Sequence, residues 1–290
     1  MNRFATPAGA AVAALKAALR TVPADAPLLI HTDLMQLGMP DGVTSRTGIA
    51  EGWLSIFQEA AEERTILIPT FNYDFPRTRL YDPADTPGQV GALSAHCAKH
   101  HADRRTLTPI FNFCVFGPTP FDRAPFDWGP FDRAPVAHPF AAASAFGTLF
   151  DRDGAILFLG AGMIANTFVH FVECAADIGY RYLKPFPGTV VEDGRPVPAD
   201  FAFPVRPLVP GAVAYGDLGE ADLRAAGLLT DFPIGLARGM LFGARAYHDR
   251  MRRRLAEDEL CLLTPDARAI TAELYERFGR PLTLTALETP

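Results

Sequence analysis

The chain has 290 residues, 49% of them hydrophobic, apolar material enough for one large α/β unit or two modest ones. Its net charge of −6, with basic residues dispersed apart from Arg250 and the run Arg252-Arg253-Arg254, excludes the electrostatic footprint of a nucleic-acid binder, and no apolar run reaches the roughly 18 residues that span a bilayer. Residues 1–23 lack the apolar block of a secretory signal, and Cys97, Cys114, Cys174 and Cys261 stand singly without the spacing of zinc or redox motifs, so the expectation is a cytoplasmic protein with reduced thiols and no metal.

An alanine-rich helix over residues 8–20 precedes a short buried strand at 27–31, which runs into Thr32 and Asp33. A helix over 48–63 and a second strand at 65–70 follow. Strands apolar throughout, separated by helices, predict a three-layer α/β/α fold with a largely parallel or mixed central sheet. Polar groups gather where these strands stop: His31, Thr32 and Asp33 after the first, Thr70, Asn72 and Asp74 after the second. In open α/β sheets that carboxyl edge is where ligands bind.

A short helix over 91–100, a strand at 112–116 and a third buried strand at 155–160 come next. Gly160-Ala161-Gly162 lacks the third glycine of a dinucleotide fingerprint, which argues against a nicotinamide cofactor. Between these strands Pro120-Phe-Asp-Arg-Ala-Pro125 recurs as Pro130-Phe-Asp-Arg-Ala-Pro135. This local duplication suits a lid over a polyhydroxylated or cationic substrate, a passive insertion or a homodimer contact equally well. Residues 181–208 alternate around an Asp193-Gly194 turn, which predicts a β-rich excursion at the edge of the main sheet. Helices are expected over 219–226, 242–257 and 266–278. No linker interrupts the chain, so one domain is expected, with a core over 27–190 and an elaborated part over 191–290.

The most informative segment is residues 166–177. Read as one helix, it places Asn166, His170, Glu173 and Asp177 within an arc of about 60°, with apolar residues over nearly all the rest. A seam this narrow belongs to a mostly buried helix whose polar strip lines a cleft. His170 and Glu173, one turn apart, form a base and its orienter, the carboxylate fixing the imidazole tautomer; a satisfied core histidine beside a structural ion pair is the plain alternative. Cys174 beside the seam reads either as an acyl acceptor or as an inert buried thiol.

Taken together, His31-Thr32-Asp33-Leu34 through Leu37-Gly38, Ile68-Pro69-Thr70-Phe71, Gly91-Ala-Leu-Ser94, Arg105-Thr106-Leu107-Thr108-Pro109, Phe146-Gly147 with Asp151-Arg-Asp-Gly154, and Asn166-Thr167-Phe168-Val169-His170 with Glu173 resemble the aminoglycoside 3-N-acetyltransferase family over residues 27–190. The resemblance implies transfer of an acetyl group from acetyl-coenzyme A to a sugar amine. It implies His170 as general base held by Glu173, and a coenzyme site along His31, Thr32, Asp33, Leu37, Gly38, Pro69, Thr70, Phe71, Arg105, Thr106, Pro109 and Asn112. Thr70 and Thr167 are candidate oxyanion donors, and Asp74, Asn166 and Asp177 candidate acceptor contacts. Asp33, Thr108 and Asn112 depart from the serine, histidine and serine usual in the antibiotic-resistance members. Segments such as Tyr180-Arg-Tyr-Leu-Lys-Pro-Phe-Pro-Gly188 look more like the branch found in surface-polysaccharide and sugar biosynthesis, which implies an amino sugar as acceptor, free, nucleotide-linked or lipid-linked, with an aminoglycoside antibiotic as the alternative.

Rival readings differ in chemistry, and one of them is a related transferase with another acyl-coenzyme A as donor, a choice set by pocket volume. A hydrolase would need an activated serine or a metal, and no Gly-x-Ser-x-Gly elbow or clustered ligand motif is present. A non-catalytic sugar or coenzyme binder would have no need of His170 paired with Glu173.

Overall fold

A strand of consecutive apolar residues has no polar face to offer water, so a sheet of such strands must be covered on both sides. The computed structural model, which describes residues 5–45, 47–117 and 138–288, shows this covering. Its strands are β1 (Ala5–Thr6), β2 (Leu28–Thr32), β3 (Met39–Pro40), β4 (Ile66–Pro69), β5 (Leu80–Tyr81), β6 (Phe113–Phe116), β7 (Ala155–Leu159), β8 (Tyr182–Glu192), β9 (Arg195–Val205), β10 (Thr230–Ile234) and β11 (Ala237–Gly243). Six of them form one mixed sheet in the order β10-β11-β7-β2-β4-β6. The central β2 is parallel to both β7 and β4; β6, β11 and β10 join antiparallel.

Alternating side chains divide the strands between two cores. Leu28, Ile30, Ile66, Ile68 and Leu157 pack with Leu15, Trp53, Phe57 and Leu93 from the helices Ala8–Leu19, Gly48–Ala61 and Ala92–His100. Leu29, Leu67, Ile156, Phe158 and Phe242 face the opposite layer, with Phe146, Phe168, Tyr247 and Leu274 from the segments around the helices Ala145–Asp151, Val169–Ala175, Ala244–Glu257 and Pro265–Phe278. The result is the expected three-layer α/β/α arrangement.

Three expectations need correction. The excursion is a hairpin with the expected Asp193-Gly194 turn, both residues at positive φ (46° and 75°) as a two-residue type I′ turn requires. It does not extend the main sheet, however; it forms a separate sheet in the order β5-β8-β9. The edges of the main sheet are taken by β6 and by β10, and the hairpin β10-β11 was hidden because Pro233, Gly235 and Gly239 interrupt its apolar pattern. The predicted helix over 166–177 is shorter, Val169–Ala175, and follows a 3₁₀ turn, Met163–Ala165. Asn166 is extended (φ −68°, ψ 92°), its Oδ1 accepting the Phe168 N–H at 3.2 Å, a local bond that competes with helix continuation. Asp177 sits at φ 51°. The duplicated segment at 120–135 lies outside the described residues.

At the carboxyl end of β4 a buried cation ties the scaffold together. Arg105, 5% exposed, donates to Asn112 Oδ1 (2.8 Å), to the Thr70 carbonyl (3.3 Å) and to the Pro83 carbonyl (2.9 Å), and its guanidinium lies over the Tyr81 ring (5.3 Å). No carboxylate pairs with it among the described residues. Its donors are instead consumed by carbonyls that fix two loops against β4 and β6. Arg105→Lys, which keeps the charge but loses the planar fork, is expected to lower the urea-unfolding free energy by about 2–3 kcal/mol; a change below about 0.5 kcal/mol would show that the fork carries no structural load.

Candidate active site

Glu173 is fully buried, with 0% of its side chain exposed, and every oxygen lone pair is used. Oε1 accepts the Tyr180 hydroxyl (2.7 Å) and the Tyr215 hydroxyl (2.7 Å). Oε2 accepts Arg181 Nε–H (2.9 Å) and His170 Nδ1–H (2.9 Å). Burial opposes ionisation, but the Arg181 guanidinium and the hydrogen bonds outweigh it and hold the carboxyl down at about 2. Glu173 is therefore a carboxylate, an acceptor only, and the His170 proton must sit on Nδ1. Nε2 is left as the unprotonated nitrogen. Burial and then Arg181 push the His170 pKa below its ordinary 6.5, against the pull of Glu173, so the imidazole is neutral at pH 7. Tyr215 completes the cluster, accepting from Arg181 Nη2 (2.7 Å) and lying 3.1 Å from His170 Nδ1.

Two cavities meet at this group. The first, about 270 Å³, opens at the carboxyl ends of β2 and β4 among His31, Thr32, Pro69, Phe71, Asn166 and Thr167. The second, about 710 Å³, lies against the hairpin sheet among Phe111, Phe140, Phe186 and Phe203. His170 and Tyr215 line both, so the imidazole stands in their shared wall. In the first cavity the Thr167 hydroxyl and His31 Nε2 are buried without a hydrogen-bond partner among the described residues. Burial lowers the His31 pKa to about 3, so that ring is neutral. The second cavity is shaped by a strained turn: Phe111 N–H bonds back to the Pro109 carbonyl (2.8 Å) around Ile110 at φ 67°, a conformation costly for a β-branched residue, and Phe111 is thereby held 6.4 Å from the His170 ring.

The structure thus brings together His170, Glu173, Thr167, Asn166, His31, Thr32, Pro69 and Phe71. It does not bring in the rest of the sequence-predicted set. Thr70 spends its hydroxyl on Asn112 Oδ1 (2.7 Å) and is fully buried, so of the two oxyanion candidates only Thr167 reaches a cavity. Arg105 and Asn112 bind each other, and Thr106 Oγ1 accepts the Phe113 N–H (3.0 Å). Asp33 caps the short helix Leu34–Leu37 through Met35 N–H (3.0 Å), Leu37 is core, and the Gly38 carbonyl accepts the Trp53 indole N–H (2.9 Å). Pro109 lines neither cavity. Asp74 bonds Gln89 (2.8 Å) and is in neither lining, and Asp177 is exposed beyond the helix. Burial first, then Glu173, pushes the Cys174 thiol up to about 12, so it holds its proton at neutral pH, and it lines neither cavity. Tyr215 and, apart from His170, the residues of the larger cavity have no signal in the sequence reading; residues 206–219 carry no periodicity to mark them.

The model of the aminoglycoside 3-N-acetyltransferase family matches residues 29–256. Among solved structures, a mutant of aminoglycoside acetyltransferase AAC(3)-IVa in complex with a gentamicin is 20% identical, with a TM-score of 0.67 over 93% of this chain and 95% of that one. AAC-IIIb in a binary complex with CoASH is 16% identical, with a TM-score of 0.66 over 90% and 99%. The YokD protein from Bacillus subtilis is 17% identical, with a TM-score of 0.64 over 87% and 100%. At these identities the structures establish a shared fold. No curated protein sequence matches the chain.

The cluster makes a stability prediction. Glu173→Gln leaves Arg181 buried without its counter-charge and is expected to cost about 3–5 kcal/mol in denaturant unfolding at pH 7. Because the folded carboxyl titrates near 2 and not at its ordinary 4.5, its contribution is complete above about pH 4.5 and is lost as the pH falls toward 2. The acid dependence of stability in that window should flatten in the variant, and an unchanged slope would mean the carboxylate is not held ionised by its partners.

Proposed function

The chain belongs to the aminoglycoside 3-N-acetyltransferase family, and from that membership we propose that it acetylates the amine of an amino sugar of biosynthetic origin by direct transfer from acetyl-coenzyme A, with His170 as general base and Glu173 as its orienting partner. One observation carries the reading: an imidazole with Nδ1 committed to a buried carboxylate presents its remaining nitrogen where two cavities meet. Direct transfer needs two substrates to approach one base from different sides. The smaller cavity, at the sheet edge, suits the thioester arm, its unpaired Thr167 hydroxyl and His31 Nε2 offering polar contacts; the larger cavity suits the acceptor.

The chemistry follows from the groups in place. An ammonium has no lone pair, so the neutral fraction of the amine attacks the thioester carbonyl carbon. As the C–N bond forms and the carbonyl electrons move onto oxygen, His170 Nε2 takes the proton that the nitrogen sheds. Glu173 stabilises the resulting imidazolium through Nδ1–H. The Thr167 hydroxyl donates to the oxyanion. Collapse restores the carbonyl and breaks the C–S bond, and the imidazolium returns its proton to the departing thiolate. Histidine and carboxylate thus close the proton cycle without a covalent acyl-enzyme, in keeping with a Cys174 thiol that stays protonated.

A thiol-release assay with acetyl-coenzyme A and a panel of amino sugars tests this reading. His170→Ala is expected to lower kcat by about 10²–10⁴-fold while coenzyme affinity is retained. A loss under about tenfold would remove His170 from the base role, and amine-independent thiol release would favour a hydrolase. Nitrogen-detected NMR offers a check without substrate. The His170 ring is expected to titrate below the ordinary 6.5 with its proton on Nδ1, and lower still in Glu173→Gln, where the one favourable charge is gone; a midpoint at or above 6.5 would contradict the burial and Arg181 effects.

A further inference from the structure

Resting on the transferase reading, and narrowing its substrate class, we propose that the larger cavity takes an acceptor bearing phosphate, an amino-sugar phosphate or nucleoside-diphosphate amino sugar, anchored by Arg79 and Arg206. Among the described residues four cations line this cavity, Arg79, Arg181, Lys184 and Arg206, against a single lining carboxylate, Glu288. Two of the four are neutralised in place: Arg181 by the buried Glu173 and Lys184 by Glu288. Arg79 and Arg206 have no carboxylate partner among the described residues. The Arg79 guanidinium reaches the Pro187 carbonyl at 3.5 Å and the Phe186 ring at 5.2 Å; Arg206 reaches only the Ala212 carbonyl at 3.5 Å. Both side chains are exposed, with most of their donors unspent.

Two positive charges at one cavity, uncompensated among the described residues, run against the net charge of −6 of the whole chain. Their field favours an anion and opposes a polycation, and planar guanidinium forks match phosphate geometry. The smaller cavity, by contrast, has no lysine or arginine among the described residues of its lining. Beside the cations, Phe186 and Phe203 stack at 5.1 Å and Phe111 meets Phe203 edge-on at 5.7 Å, an apolar wall for a sugar face or a base. A cavity of about 710 Å³ has room for more than a monosaccharide.

The decisive measurement is calorimetric binding to the full chain saturated with desulfo-coenzyme A, which blocks the donor site. UDP-glucosamine and glucosamine 1-phosphate are titrated against glucosamine and gentamicin. At least one phosphorylated ligand is expected to bind about tenfold or more tighter than glucosamine, and gentamicin weakly. Arg79→Gln with Arg206→Gln should remove that advantage, at least tenfold, while glucosamine binding and the thermal midpoint stay near those of the unsubstituted chain; each single variant should give a part of the loss. Equal binding of charged and neutral sugars, tighter binding of gentamicin, or indifference to the substitutions would overturn the proposal. So would a loss of coenzyme affinity confined to the substituted chain, which would assign the two cations to the donor. Failure of the unsubstituted chain to bind the coenzyme analogue at all would instead sink the transferase reading, and this inference with it.

Discussion

The arrangement of the site depends on one buried carboxylate. Glu173 has no access to water, and an ionised group in that position is tolerable only when its charge is matched and its lone pairs are filled. The matching draws on three separate stretches of chain: His170 from its own helix, Tyr180 and Arg181 from the root of the hairpin, and Tyr215 from the long connection that follows. Each donor is committed to a particular oxygen. The same bonds that make Glu173 tolerable therefore fix where the hairpin begins, where the connection returns, and which imidazole nitrogen carries the proton.

This explains why the two cavities are distinct. The sheet edge supplies one set of walls, from the ends of β2 and β4, and the hairpin supplies the other. Glu173 and its partners occupy the place where those walls would otherwise merge, and His170 with Tyr215 forms the partition. An imidazole in a partition is open to groups that arrive from opposite sides, and the proposed transfer between two bound molecules draws on that geometry.

Much of this was legible in the residues. Apolar strands announced a covered sheet, and His170 with Glu173 could be found because partners three apart on a helix share a face whatever the tertiary context. The seam drawn around them was too long, since Asn166 bonds its own neighbour's backbone and Asp177 lies past the helix in a left-handed conformation. Arg105 illustrates the opposite difficulty. A cation near a ligand-binding edge reads as a ligand contact, and only the folded chain shows its donors spent on carbonyls. Tyr215, Arg79 and Arg206 come from segments without periodicity, and their convergence is set by the hairpin's separate sheet, a pairing that local pattern does not encode.

The hairpin also carries a consequence for solubility. Pro196, Pro198 and Pro204 of β9 stand opposite Val191, Thr189 and Leu183 of β8, and Pro185 and Pro187 stand opposite Ala202 and Asp200. All five prolines thus occupy the same parity of the ladder, the positions whose amides point away from the partner strand. Proline has no N–H to offer there, so the ribbon's outward margins are stripped of donors along much of their length. A long hairpin, covered by β5 only at Thr189 and Val190, is ordinarily an invitation to strand addition by a second molecule. Here the phenylalanines facing the larger cavity are displayed on an arm that strands of other molecules cannot readily extend, so a hydrophobic surface is kept available to small ligands with little risk of intermolecular sheet growth.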